Sequence, residues 1–430
     1  GCRTVLQWME EVSLIFYQEA KVMKKLFKVV FVAILAIAIA APAMAEVKVN
    51  GYIRTIMQSD NVAGSGAKDA PTASQVDNRF RAKITNQLTD NVKWVYYGEV
   101  DTKWGQDTGG KLGADGVQLQ TKNVYMEFNV PNSMISAKVG VQGFTPGFNG
   151  FLLNHDAAGA AVNLAVSDTM AVVLHYSKFD EGDKSTWDDI NYYAAVGKMK
   201  LANDAKLNLM AAYVDDNSID YTPGSNEGKD DIYWVGAEYM GKIGDIGLNT
   251  WVMYNGGTYE SDSPAEGDLS GYAATVQAVF GKAAVRLLYT TGDDGTNGTD
   301  SDEFAYDIGG AYYFYNENLQ CFFTDKYYNN LGATNLDKAG NGLTAITAKY
   351  DTMVGDYYLK LGVGYFMSSE DIVVGTSKED ELGTELAARF GTTLVDKLDV
   401  SVNGSYVLVG DALAGSNNDD IFKINLMLNL

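Results

Sequence analysis

The last ten residues, IFKINLMLNL, alternate between apolar and polar side chains, and this pattern constrains the fold most strongly. The apolar positions are Phe422, Ile424, Leu426, Leu428 and Leu430. Successive side chains of a strand point to opposite faces, so this segment predicts a strand with one apolar and one hydrated face. A strand of this kind at the end of a chain is what a transmembrane β-barrel uses to close onto its first strand.

The other end of the sequence carries the features of a secretory signal peptide over residues 23–45. Lysines at its start precede an unbroken apolar run at residues 29–41, and the small residues Ala43 and Ala45 follow it. This order predicts cleavage after Ala45, so that the mature chain begins at Glu46. A membrane-anchoring helix is the alternative, but the apolar run is short for a bilayer span.

Residues 1–22 precede the expected start and are interpreted as a mis-called upstream extension, outside the fold. The whole sequence has 33 Lys and Arg against 55 Asp and Glu, of which the first 45 residues hold five and three. Residues 46–430 therefore have 28 basic and 52 acidic side chains, a net charge of −24. Such an acidic chain lacks the basic footprint of a nucleic-acid-binding protein. Cys321 is the one cysteine after residue 45, which excludes a disulfide framework.

Short polar turns and long acidic loops alternate along residues 46–430. A turn such as residues 131–133 is followed by connections as long as residues 215–231 and 291–303. Short turns at one end and long loops at the other are typical of bacterial outer-membrane barrels. The sequence thus predicts an all-β fold: a single transmembrane, antiparallel, up-and-down β-barrel with an even number of strands.

The best strand count is twenty, and sixteen to twenty are compatible with the pattern. The predicted strands begin near residues 46, 77, 92, 118, 134, 159, 170, 189, 206, 230, 246, 269, 283, 303, 319, 342, 356, 382, 398 and 420. Alternation within them separates an apolar face from a polar one. Trp94 and Val100 lie on one face of the third strand, and Lys93 and Glu99 lie on the other. A face that carries charges predicts a hydrated lumen, because buried unpaired charges are costly.

Together, the signal peptide, the barrel pattern, the acidic loops and the terminal strand resemble those of the general, trimeric porins of Gram-negative bacteria. The resemblance implies one barrel domain over residues 46–430 in the outer membrane, in contact with lipid and lipopolysaccharide. It also implies a homotrimer, and recognition by the outer-membrane assembly machinery through the strand from Ile421 to Leu430. Family members usually end in Phe, whereas this chain ends in Leu430.

Charged residues on the polar registers are the candidates for the pore lining and constriction. They are Arg54, Arg79, Arg81, Lys83, Lys93, Glu99, Asp101, Lys103, Glu127, Lys138 and Asp156. General porins resemble this in placing a basic ladder opposite an inward-folded loop. The equivalent segment, residues 143–159, is unusually apolar and would gain cover by folding into the barrel. The alternative is that these charges are paired and only stabilise the wall.

Enzymatic and metal-binding functions are poorly supported. After residue 45 the chain has two histidines, His155 and His175, and no third group orients His175 beside Ser177. The acidic loop at residues 291–303 does not match a calcium-binding loop. We therefore expect no catalysis, no cofactor and no metal site.

Two classes of function fit the pattern. The first is a passive diffusion channel for ions and small hydrophilic solutes, which includes the variant of a substrate-specific channel. The second is a barrel-anchored surface or scaffold protein whose acidic loops bind an external partner. A hydrated lumen favours the channel.

Overall fold

The computed structural model describes residues 46–61, 72–106, 109–113, 117–181, 189–217, 230–260, 266–295, 300–305, 340–414 and 420–430. These residues form one antiparallel sheet of 18 strands. In chain order the strands are β1 Glu46–Asp60, β2 Ala73–Thr89, β3 Val92–Lys103, β4 Gln120–Asn129, β5 Ile135–Phe144, β6 His155–Ala165, β7 Met170–Asp180, β8 Ile190–Lys200, β9 Lys206–Asp216, β10 Asp230–Ile243, β11 Ile246–Glu260, β12 Glu266–Phe280, β13 Ala283–Thr290, β14 Leu343–Val354, β15 Tyr357–Val374, β16 Ser377–Val395, β17 Leu398–Val409 and β18 Ile421–Asn429.

The sheet closes into a barrel because β1 pairs with both β2 and β18. Arg54 lies opposite Asn429 in this closing pair. The closure extends to the last residue, where the backbone N–H groups of Ile53 and Leu430 donate to each other's carbonyl oxygens at 3.0 and 2.9 Å. Every strand thus has two hydrogen-bonded neighbours, which is the condition for a β-structure in lipid. The barrel and the closing role of the last strand are confirmed.

The best count of twenty strands is too high by two, whereas the even number and the range of sixteen to twenty are correct. β13 pairs directly with β14, so no strand from the intervening segment lies between them in the wall. Of the two surplus strands, the one near 319 lies outside the described residues. The one near 303 is described only as far as Ala305, and residues 303–305 are not in a strand. Aromatic residues are frequent after residue 303, and their β-propensity explains the surplus. Among the other starts, the largest difference is at β16, predicted near 382 and observed at Ser377.

The two faces of the wall are told apart by exposure. On β11, Trp251 and Met253 are 3% and 0% exposed, whereas Val252 between them is 52% exposed. Val252 therefore faces outward, toward lipid, and its two neighbours face the lumen. The same alternation of buried and exposed residues runs through β8–β13.

Tyrosine side chains on the outer face form two contacting groups across β7–β12. Ring centroids of adjacent members are 5.0 to 6.3 Å apart. The groups are Tyr176, Tyr193 and Tyr213, then Tyr233, Tyr254 and Tyr272. Outward aromatic rings of this kind form the belt that barrels place at the membrane interface.

Tight turns join the strands at one end of the barrel. Gly281 and Gly355 occupy two of them with φ of 60° and 63°, a left-handed conformation that hairpin turns need and that glycine adopts without strain. Most connections at the other end are longer, which agrees with the expected asymmetry, but β15 and β16 are joined there by residues 375–376 alone. Two single-turn 3₁₀ segments, Phe148–Gly150 and Ala202–Asp204, and a short helix at Asp411–Ala414 complete the described elements. Within the described residues no helix is long and apolar enough to cross a membrane.

Candidate functional site: a basic wall opposite an inward loop

Three arginines lie side by side on the lumenal face of β1 and β2. Arg54 is opposite Arg79 in the pairing of these strands, and Arg81 follows two residues later on the same face. Their neighbours Ile53 and Phe80 are 47% and 45% exposed and point outward. The predicted register of both strands therefore holds, and the arginines line the lumen.

Acidic side chains on β3 lie beside two of these arginines. Arg79 donates to Asp101 through two parallel hydrogen bonds, Nε to Oδ1 at 2.6 Å and Nη2 to Oδ2 at 2.8 Å. Arg81 donates to Glu99 from its Nε atom. Such charge-assisted pairs fix the side chains against the wall. The alternative interpretation of the sequence, that the charges are paired, thus applies to these two arginines.

Two cations of the same wall keep an uncompensated charge. Among the described residues, neither Arg54 nor Lys83 has a carboxylate within 4 Å. Lys83 lies opposite Tyr97 on β3, and the guanidinium of Arg81 lies over the Tyr97 ring, 5.9 Å from its centroid. The wall therefore presents net positive charge to the lumen even though Arg79 and Arg81 are paired.

Other predicted lining residues extend this wall toward its two ends. Lys93 forms an ion pair with Glu127 at 3.1 Å near the tight-turn end. The Nζ atom of Lys138 lies 4.1 Å from the centroid of the Tyr125 ring, a cation–π contact. Lys103 is the last residue of β3 and is exposed at the long-loop end.

Asp156 does not join the other candidates. It lies opposite Gly143, whereas the next residue, Ala157, packs against the buried inner cluster. Alternation therefore turns Asp156 away from the lumen. Its carboxylate accepts hydrogen bonds from Lys122 and from Asn123, the latter at 2.7 Å. Asp156 thus links β4 to β6, and it does not supply the acid that was expected opposite the basic wall.

The loop between β5 and β6 folds into the barrel. Phe148, Phe151, Leu152 and Leu153 are at most 2% exposed. The ring centroids of Phe151 and Trp251 are 4.7 Å apart, and Trp251 is on the lumenal face of β11. The cover that the sequence requires for these apolar side chains is thus supplied by the opposite inner wall.

A glycine in β10 permits the close approach of this loop. A Cβ atom on Gly236 would lie 2.6 Å from Cγ of Met253 and 3.0 Å from Cε1 of Phe148. Phe148 itself has a φ of 57°, which is strained for an aromatic residue. Tight packing of the loop on the wall holds it in this conformation.

The apolar inner cluster into which the loop packs was not predicted by the sequence interpretation. Its members on the wall share a lumenal position and an apolar side chain, where a hydrated lumen requires polar ones. They include Tyr192, Val196, Met210, Val214, Trp234, Trp251 and Met253. Apolar residues on both registers of β8–β11 were therefore the available signal that this part of the inner wall is covered.

The histidines show no catalytic arrangement. His175 lies on the lumenal register and packs edge-on against Phe144, with ring centroids 5.5 Å apart. His155 lies opposite Phe144 in the pairing of β5 with β6. Among the described residues, no group of three or more His, Cys, Asp or Glu side chains could hold a metal ion.

Comparison with solved structures finds the same fold at low sequence identity. Pseudomonas aeruginosa OccK2 (OpdF) in complex with glucuronate is 14% identical with a TM-score of 0.54, covering 90% of this chain and 97% of that chain. Acinetobacter baumannii OccAB1 is 14% identical with a TM-score of 0.54, covering 91% and 98%. A BenF-like porin from Pseudomonas fluorescens Pf-5 is 13% identical with a TM-score of 0.53, covering 90% and 98%.

No curated protein matches the sequence significantly. The profile of the Gram-negative porins matches residues 32–335, which is most of the chain. Porins are non-enzymatic channels of the outer membrane, in agreement with the barrel and the lumenal charges. The chain belongs to the family of Gram-negative porins.

Proposed function

We propose that ions and small hydrophilic solutes cross this porin between the basic wall of β1–β3 and the inward loop between β5 and β6. The observation that carries the proposal is the opposition of these two elements. The loop packs on β10 and β11, whereas Arg54, Arg79 and Arg81 stand on the other side of the barrel with their side chains partly exposed. An incoming solute therefore meets cations on one side and an apolar loop on the other.

Conductance of the mature protein in planar bilayers tests this path. The field of the acidic side chains that the sequence predicts at the mouth is screened beyond about 8–10 Å at physiological salt, whereas the lumenal charges act at close range. We expect weak ion selectivity at high salt and a drift toward cations as salt is lowered and the loop field extends. A barrel that inserts without conducting would contradict the proposal and favour the alternative of a surface or scaffold protein.

A preference for carboxylate solutes is the second candidate. The uncompensated charges of Arg54 and Lys83 on the lumenal wall favour it, because a carboxylate can pair with either. OccK2 was solved in complex with glucuronate, so this sugar acid is a suitable probe. Selective permeation of glucuronate over an uncharged sugar of equal size would support the preference, and equal rates would leave a general channel.

The processing of the chain is a further part of the proposal. The signal peptide of residues 23–45 is removed after Ala45. The start of β1 at Glu46, directly after the expected cleavage site, supports this. N-terminal sequencing of the outer-membrane protein is expected to read EVKVN. A first residue upstream of Lys24 would contradict it.

The assembled form is proposed from the resemblance to trimeric porins. Three barrels associate in the outer membrane, in contact with lipopolysaccharide, and the last strand is the segment that the assembly machinery recognises. The apolar outer face of β18 and of the residue that follows it, with Ile424 and Leu430 about half exposed, supports this role.

A further inference from the structure

A second segment, residues 300–305, also enters the barrel. It runs beside the long-loop end of β12, where Ser301 forms a parallel bridge with Leu269. The N–H of Ser270 donates to the Ser301 carbonyl at 2.9 Å, and the N–H of Ser301 donates to the Asp268 carbonyl at 2.8 Å. These main-chain bonds fix where the segment leaves the rim.

The inner end of this segment is held by two buried side chains of the lumenal wall. The indole Nε1 of Trp234 donates to the Ala305 carbonyl at 2.8 Å. The N–H of Ala305 donates to Oδ1 of Asn255 at 3.1 Å. Trp234 and Asn255 are both fully buried. Where the backbone of a loop is buried away from water, its polar groups need such partners.

Between these attachments, Phe304 packs on the inward loop. Its side chain is 1% exposed, and its ring centroid lies 5.9 Å from that of Phe151. Phe151 in turn contacts Trp251 of the wall. The inward loop therefore has a neighbour on each side, the wall behind it and the 300–305 segment beside it.

We propose that the segment 300–305 sets the bore of the channel, with Phe304 as the positioning residue that fixes the inward loop and Trp234 and Asn255 as the anchors of the segment. The inference rests on the proposed ion path, because it concerns the loop that borders this path. Close packing transmits the loss of one ring to its neighbour. Without Phe304, the Phe151 side chain shifts into the vacated volume, and the loop moves away from the basic wall.

The test compares F304A and F151A with the wild type in planar bilayers and in liposome swelling with sugars of increasing size. We expect both variants to have a higher single-channel conductance and to admit larger sugars. The double variant is expected to exceed neither single variant by much, since both remove one contact. Reversal potentials are expected to stay unchanged, because no charge is altered.

Two further variants control the test. F80A removes the same side chain on the outer face, where Phe80 is 45% exposed, and is expected to leave conductance unchanged. W234F keeps an aromatic side chain but removes the indole N–H that donates to Ala305 and part of the ring volume, so it is expected to raise conductance by loosening the anchor. If F304A does not assemble, F304L and W234F carry the test.

Wild-type conductance and wild-type sugar cut-off in assembled F304A, or in its substitutes F304L and W234F, would overturn the inference. The proposed path would still stand in that case, because its own test is the conductance and salt dependence of the wild-type protein. A non-conducting wild-type barrel would instead end the proposed path itself.

Discussion

Replacing Arg79 and Arg81 together by Gln is expected to shift the reversal potential strongly toward cation preference. The double change removes two positive charges and leaves the carboxylates of Asp101 and Glu99 without their partners. Two charges about 8 Å from an ion in water act on it with about 1 kcal/mol, which corresponds to about a fivefold change in local ion concentration. The measurement is the reversal potential across a salt gradient in planar bilayers.

The matched control removes the acids instead. In E99Q/D101N the two arginines keep their charges and lose their partners, so the reversal potential is expected to shift toward anions. The combination of all four substitutions is expected to return the reversal potential close to the wild-type value, since it restores the balance of charge. Unchanged potentials in both double variants would place the ion path away from β2 and β3.

Deleting the residues from Ile421 to Leu430 is expected to abolish assembly of the barrel. β18 pairs with β17 on one side and with β1 on the other, so its loss opens two strand edges at once. Each edge exposes unpaired N–H and C=O groups to lipid, at several kcal/mol for each group. The expected result is the loss of the heat-modifiable band of the folded barrel on cold gel electrophoresis. Folded barrel at wild-type levels would contradict the closing role of β18.

Leu430 offers a control that separates closure from recognition. Its backbone bonds to Ile53, whereas its side chain is 54% exposed on the outer face. L430A keeps the backbone bonds, so we expect refolding from urea into detergent to be unchanged. Reduced insertion of L430A in cells, together with normal refolding in detergent, would show that the side chain serves recognition by the assembly machinery.

The alternation of side chains determined most of the wall from the sequence alone. Lys93 and Glu99 were placed on the polar face of β3 and Trp94 on the apolar face, and the structure has them so. Period-two alternation is a local property, and a wall with water on one side and lipid on the other needs little else. The closing strand and the lumenal positions of Arg54, Arg79 and Arg81 followed from the same pattern.

Three features were decided by tertiary structure. The predicted strand count was too high after β13. The residues there have strand propensity, but β13 pairs directly with β14, so no strand lies between them in the wall. Asp156 was assigned to the lumen because it belongs to the segment 143–159 that was expected to fold inward, but its register turns it toward Lys122.

The interior of the barrel is the third of these features. The apolar residues between Phe144 and His155 indicated that this loop needs cover, but no local pattern names the surface that provides it. Trp234 and Trp251 are far from the loop in sequence and reach it only after the barrel has closed. Local alternation therefore determined the wall of this porin, and long-range packing of its loops against that wall decided the shape of the pore.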